Sequence, residues 1–257
     1  MNGAFYIGAA GLGAEERALA VVANNVTNVN TTAFKRSQVV FQTLVSAPGD
    51  RRQPLSGADD PSVGLSGVTL GSAPIDFSEG PLQQTGKPLD LAIDGTGFIE
   101  VMGPDGQPML FRGGSLEVNP DGYLAAPNGL PLKAMIAIPA GASTVSIGAD
   151  GKVMAQVDGQ SAATQIGQID LVIPKDPTQV TAMSGGLYQV DDESDLTSVA
   201  PGADGAGVLA AGSLEGSNVE LSDELTLMLL LQRAYSANAE VVQAGDQLMA
   251  IANSLKR

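Results

Sequence analysis

Proline divides this chain more sharply than any other residue. The first of its 15 prolines is Pro48 and the last is Pro201. Proline removes a backbone donor and clashes with the preceding turn. Long helices are therefore confined to the two ends, and the middle is left to strands and turns. Periodicity at the ends agrees. Phe5, Leu12, Leu19 and Val26 recur every seventh position, with Ala9, Val22 and Ala23 beside them. This predicts a helix with one apolar stripe over roughly residues 4–27. It should give way at Asn24-Asn25-Val26-Thr27-Asn28-Val29-Asn30-Thr31-Thr32, where Asn and Thr side chains compete for the backbone.

The C-terminal segment carries two adjacent seven-residue series. Leu221, Met228, Tyr235, Val242 and Met249 form one; Leu227, Ala234, Val241, Leu248 and Leu255 form the other, with Leu225 and Ala239 widening the stripe. Ser222 is the expected N-cap. Asp223 and Glu224 in the first turn, and Lys256 and Arg257 at the end, suit the helix dipole. Such a helix runs about 33 residues, on the order of 50 Å at 1.5 Å per residue. One partner helix cannot cover two adjacent series, and a bare apolar stripe is an aggregation liability, so partners are implied. The contrary reading packs both helices inside a single monomer.

Between the ends, short alternating runs alternate with tight turns. Leu89-Asp90-Leu91-Ala92-Ile93-Asp94 and Phe98-Ile99-Glu100-Val101-Met102 flank Gly95-Thr96-Gly97, and read as strands joined by a hairpin turn. Asp-Gly pairs begin at Asp94, Asp105, Asp121, Asp150, Asp158 and Asp204, and Asp-Gly favours the turns of antiparallel hairpins. The class is α+β with a mainly β core. Residues 1–38 and 212–257 form the terminal helical domain, 39–74 an extended hairpin or linker, and 75–211 an antiparallel β-domain.

Composition removes most catalytic chemistry. The chain has no His and no Cys, so it has no Ser-His-Asp triad, no imidazole base, no thiolate and no zinc ribbon. No cofactor or metal is expected. Gly95-Thr96-Gly97 lacks the third glycine and the βαβ context of a dinucleotide site. Asp191-Asp192-Glu193-Ser194-Asp195 lacks the glycine-centred spacing of a calcium loop and reads as an exposed acidic loop. Four Tyr, six Phe and no Trp offer no platform for a sugar beside paired carboxylates. The net charge of −15 argues against nucleic acid. That charge is concentrated in the middle of the chain. Residues 1–36 carry two acids and three bases, and residues 215–257 six acids and three bases, which leaves −13 for 37–214. No apolar run reaches the roughly 18 residues of a membrane span. Glu15, Glu16 and Arg17 interrupt any secretory signal, so no cleaved signal peptide is expected.

Five segments then resemble one family. Ala23-Asn24-Asn25 through Asn28, Thr31 and Phe34-Lys35-Arg36 is similar to the N-terminal signature of bacterial flagellar rod and hook proteins. Gly216-Ser217-Asn218-Val219 and Gln232-Arg233-Ala234-Tyr235-Ser236-Ala237-Asn238 resemble its C-terminal signature. Leu91-Ala92-Ile93-Asp94-Gly95-Thr96-Gly97-Phe98 and Phe111-Arg112-Gly113-Gly114-Ser115-Leu116 resemble central pieces, with Gly113 where the family commonly carries Asp in a turn. Within the family, length and the intact segment after the first helix look most like the distal rod branch, with the proximal rod as the alternative.

The resemblance implies a structural, non-enzymatic subunit of the flagellar basal-body rod, the tubular shaft that transmits motor torque to the hook. It implies terminal helices paired as a coiled coil and export through the flagellar type III apparatus without a cleaved signal. The implied location is the periplasmic rod of the basal body. The implied partners are further copies of the chain in a helical polymer, other rod proteins, the hook protein, and the surrounding periplasmic and outer-membrane rings. The expected subunit interface is Phe5, Leu12, Leu19, Val22 and Val26 on the first helix, and Leu221, Leu225, Met228, Tyr235, Val242 and Met249 on the last. Ala9, Ala23, Ala234 and Ala239 would allow close approach. Asn24, Asn25, Asn28, Arg233 and Asn238 are candidates for register-setting hydrogen bonds, with local capping as the other reading. A soluble β-domain binding module on a helical stalk, such as an adhesin, and a carboxylate-only enzyme are the rival functions.

Overall fold

Both proline-free ends are helical in the computed structural model, which describes residues 2–44, 67–71, 73–157, 162–190 and 195–255. Helix α1 spans Asn2–Thr27 and α2 spans Leu221–Leu255. Ser222 is not the cap. The amides of Asp223 and Glu224 already bond to the Glu220 carbonyl, both at 3.1 Å, so the first turn starts earlier and encloses Ser222. Asp223 and Glu224 occupy that turn as expected. Lys256 and Arg257 lie outside the described residues.

The chain forms two compact units: Met1–Thr27 with Ser37–Pro74 and Glu220–Arg257, and Asn28–Arg36 with Ile75–Val219. In the first, α1 and α2 run antiparallel. Asn25 bonds Glu224 near one end of α1, while Glu15 bonds Asn238 further along. Strands β1 (Phe41–Leu44) and β2 (Gly67–Leu70) pair antiparallel, with Phe41 opposite Leu70. Val39 and Leu70 join Leu19, Val26, Leu227 and Met228 around the buried Ala18, Val22 and Leu231. The rest of segment 39–74, residues 45–66 and 72, lies outside the described residues.

The second unit is built of short strands. They are β3 (Leu82–Gln84), β4 (Asp90–Asp94), β5 (Phe98–Met102), β6 (Pro108–Phe111), β7 (Gly113–Ser115), β8 (Glu117–Val118) and β9 (Leu124–Ala125). Then come β10 (Ala142–Ile147), β11 (Lys152–Val157), β12 (Thr164–Gln168), β13 (Leu171–Pro174), β14 (Thr181–Ala182) and β15 (Leu187–Gln189). The last are β16 (Leu196–Val199), β17 (Val208–Ala211) and β18 (Ser213–Glu215). One sheet has the order β14-β15-β6-β5-β13-β16; smaller sheets are β17-β4-β7, β10-β11-β12, β18-β3 and β8-β9. Every pairing of these strands is antiparallel.

Asp105-Gly106, Asp121-Gly122 and Asp150-Gly151 turn the hairpins β5–β6, β8–β9 and β10–β11. Asp158-Gly159 falls outside the described residues, as do Asp191 to Ser194. Gly95-Thr96-Gly97 is not a hairpin turn. Strand β4 pairs with β17 and β7, whereas β5 belongs to the large sheet, so the three residues carry the chain from one sheet to another. Gly95 and Gly97 take φ of +114° and +127°, in the region that favours glycine. Thr96 is fastened there: its Oγ donates to the Gly205 carbonyl at 2.6 Å, and its carbonyl accepts from Gly207 at 2.7 Å. Residues 113–115 are strand β7 rather than a turn. A side chain at 113 would place Cβ 2.6 Å from the Leu91 carbonyl oxygen, so the close pairing of β7 with β4 requires Gly113.

The core gathers Leu91, Ile93, Ile99, Val101, Leu124 and Leu171. Beside it, Phe77, Phe98 and Tyr188 meet edge to face, with centroids 5.2 to 5.7 Å apart, in the geometry aromatic rings prefer. Burial raises the Tyr188 hydroxyl from 10.0 to about 12. The sign follows from linkage. The unfolded chain ionises Tyr188 near pH 10 while the folded chain holds its proton. The stability this residue contributes is therefore complete below pH 10 and lost as pH rises toward 12. At about 1.4 kcal/mol per pKa unit the loss is roughly 2–3 kcal/mol. Denaturant titrations from pH 9 to 12 are expected to show this decline in the wild type, with that component absent in Tyr188→Phe.

Candidate assembly site

The helix pair is held close by small residues. A Cβ on Gly8 would come within 2.7 Å of Val242 Cγ2, and one on Gly11 within 2.9 Å of Asn238 Nδ2. Glycine inside a helix costs about 1 kcal/mol relative to alanine. At these two positions that cost admits α2. Ala14 and Ala18 complete the contact and are buried, whereas Ala9 and Ala23 are exposed, and Ala234 and Ala239 are half-buried.

Polar side chains fix the register of the pair. Asn25, 1% exposed, accepts from the Ser37 amide at 3.0 Å and donates to the Ser37 carbonyl at 2.9 Å and to Glu224 Oε1 at 3.2 Å. Asn238 donates to Glu15 Oε1 at 2.7 Å. Burial raises the Glu15 carboxyl, against the lowering pull of that donor. Asn24 is exposed, and Asn28 accepts locally from Thr31 at 3.1 Å.

The apolar positions separate into two groups. Val22 is buried, Leu12, Leu19 and Val26 are half-buried on α1, and Met228 and Val242 are half-buried on α2. The Phe5 side chain lies outside the described residues. Leu221, Leu225, Tyr235 and Met249 are exposed, as are Gln232 and Arg233. Leu231, which the seven-residue series pass over, is the most buried apolar residue of α2. Its signal in the sequence is the four-residue step from Leu227. Leu229, Leu230, Val241, Leu248, Ile251 and Leu255 are also bare, between 49% and 82% exposed. A monomer seldom leaves that much apolar helix surface uncovered.

The remaining motif residues lie in the β unit. Lys35 is buried and donates to Glu215 Oε1 at 2.5 Å and to the Ser78 carbonyl at 2.7 Å. Glu215 also accepts from the Gly80 amide at 3.0 Å and lies 3.3 Å from Arg112 Nε. The Arg112 guanidinium donates to the carbonyls of Gly97 and Gly95, both at 2.5 Å, which anchors the crossing between sheets. Burial lowers the Lys35 ammonium and the adjacent carboxylate of Glu215 raises it again. Asn218 accepts from the Arg36 amide at 2.8 Å and donates to the Asp76 carbonyl at 2.8 Å. Arg36 pairs with Asp76 at 3.2 Å, the half-buried Phe34 lies beside Lys35 in the chain, and Ser217 Oγ accepts from the Val219 amide at 3.3 Å. The sequence gives no sign of Glu215, whose partners lie far away along the chain, and shows Arg112 only as part of a motif, without its role. The compact units divide after Thr27, Arg36, Pro74 and Val219, and Lys35 and Asn218 bond within the β unit.

Three stretches match known families in chain order. Residues 5–35 match the flagella basal body rod protein family, 92–155 the flagellar hook protein FlgE/F/G D1 domain, and 210–255 the flagellar basal body rod FlgEFG protein C-terminal family. Together with the uncovered helical face, these define a structural protein of the flagellar axis, and the chain belongs to the flagellar basal-body rod protein family. Its relatives include the flagellar basal-body rod protein FlgG of Bacillus subtilis, 34% identical over 262 residues and 98% of each chain. FlgG of Buchnera aphidicola subsp. Baizongia pistaciae is 34% identical over 253 residues and 96% of each. The rod protein FlgF of Caulobacter vibrioides is 30% identical over 255 residues, covering 96% of this chain and 95% of the relative.

Replacing Glu215 by Gln leaves two buried cations without their counter-charge. Breaking a buried pair from one side costs about 3–5 kcal/mol. Glu215→Gln is therefore expected to lower the unfolding free energy of the β unit by that amount, measured by denaturant titration followed by tyrosine fluorescence. Lys133→Gln, which loses a partly exposed pair with Glu100, is expected to change stability by less than about 1 kcal/mol.

Proposed function

We propose that this chain is a distal-rod subunit that polymerises, through its helical unit, into the tubular shaft carrying torque from motor to hook. The observation that carries the proposal is the apolar face of α2 left bare after α1 has packed on it. On this reading α1 and α2 pair as a coiled coil, and the helical unit supplies the contacts of the polymer. Leu221, Leu225, Tyr235 and Met249 meet neighbouring copies, while Leu12, Leu19, Val22, Val26, Met228 and Val242 hold the pair together. The role is mechanical and needs no cofactor. The subunit reaches the periplasm through the flagellar type III apparatus, and its partners are further copies, other rod proteins, the hook protein and the rings around the shaft. Many modest contacts repeated along a lattice add to the stiffness a drive shaft needs.

Concentrating the purified chain is expected to yield filaments in which α1 and α2 resist protease, while in dilute solution both are cut. Leu225→Asp, which alters an exposed side chain, is expected to keep the circular dichroism of the wild type and to abolish filament formation. Equal protease resistance in dilute and concentrated samples counts against the proposal.

A further inference from the structure

Beyond the seam that faces α1, α2 carries a second one. Leu227, Leu231, Asn238 and Val242 turn toward α1. Leu230, Val241, Leu248, Ile251 and Leu255, with Ala237 and Ala244 between them, fall on one flank, within roughly a quarter-turn of one another at 100° per residue. Their spacing is that of a heptad seam. All five large side chains are exposed.

Next to this flank the helical unit holds an apolar groove of about 490 Å³, lined among others by Ile7, Phe41, Val68, Leu227 and Leu230. Among the described residues that line it, Glu15 alone is charged. That side chain is 7% exposed, and Oε2 is buried without a hydrogen-bond partner, while Oε1 takes the Asn238 amide. A buried carboxylate oxygen without a donor is costly, and the raised carboxyl is consistent with that strain. The groove is therefore suited to an occupant that is apolar and brings a cation. The same chain offers one. Arg233 is exposed, has no partner among the described residues, and stands one turn beyond Leu229 and Leu230 at the edge of the second seam.

We infer that the groove seats the second seam of α2 from another copy of this chain, whose Arg233 pairs with Glu15. The inference rests on the polymer reading above and specifies its contact. Groove and seam share Leu230 at their border, but Ile7, Phe41 and Val68 belong to the groove alone and Val241, Leu248, Ile251 and Leu255 to the seam alone, so a contact of these parts is head to tail and open-ended, which propagates a filament rather than closing a dimer. A carboxylate and a guanidinium meeting away from water also select the register of the contact.

The test is a charge exchange in the full-length chain, read as the critical concentration for filament formation by sedimentation. Arg233→Glu and Glu15→Arg are each expected to raise it about tenfold or more, and the double variant to return to within about threefold of wild type. Val241→Asp, exposed in the lone chain, is expected to block filaments while leaving its circular dichroism and melting unchanged. It keeps the test decisive should Glu15→Arg fail to fold. Normal assembly of Arg233→Glu or of Val241→Asp, or a folded double variant no better than the singles, overturns the inference while the polymer reading stands. A wild-type chain that never assembles overturns both.

Discussion

The close antiparallel contact of α1 with α2 governs what the rest of the molecule can do. Gly8 and Gly11 lower the wall of α1, and Val242 and Asn238 occupy the space released. Asn25 with Glu224, and Glu15 with Asn238, set the register from two ends of the contact. Because α1 is 26 residues and α2 is 35, and α1 covers only one face, this register decides which apolar side chains are spent inside the subunit and which remain outside it. The uncovered ones are the material of assembly.

The β unit is organised differently, around one buried carboxylate. Glu215 holds Lys35, the Gly80 amide and Arg112, and Arg112 in turn holds the two carbonyls at the crossing from β4 to β5. Three distant stretches of chain are tied to one point. A buried ionic cluster of this kind adds little net stability over an apolar replacement, but losing one member is severe. Its value here is geometric: it fixes where the strands change sheets, which hydrophobic burial alone does not specify.

Periodicity and proline made the helices legible, and Asp-Gly pairs made the antiparallel hairpins legible, because both signals are local. Gly95-Thr96-Gly97 misled for the same reason: two alternating runs around a glycine turn look like a hairpin whether or not the strands pair, and only the distant partners β7 and β17 decide it. The candidate interface was read as one wide stripe. Folding divided it, with Leu231 turned inward and Leu225 and Tyr235 left out, because the three- and four-residue steps of a helix place neighbours of one stripe on different faces. Glu215 gave no local signal, and Arg112 stood in a recognisable motif that did not disclose its buried partners. Of the signature residues, Asn25, Lys35 and Asn218 are buried or hydrogen-bonded across long stretches of chain, while Gln232, Arg233 and Tyr235 face outward.

The most direct test of assembly through the terminal helices is electron cryo-microscopy of the basal body from the organism that carries this chain, at a resolution that resolves side chains. The account predicts that the chain forms the rod wall, with Leu225, Tyr235 and Leu248 of α2 buried against neighbouring copies. A chain located outside the rod, or a rod in which those side chains face solvent while the β units alone make the contacts, would contradict it.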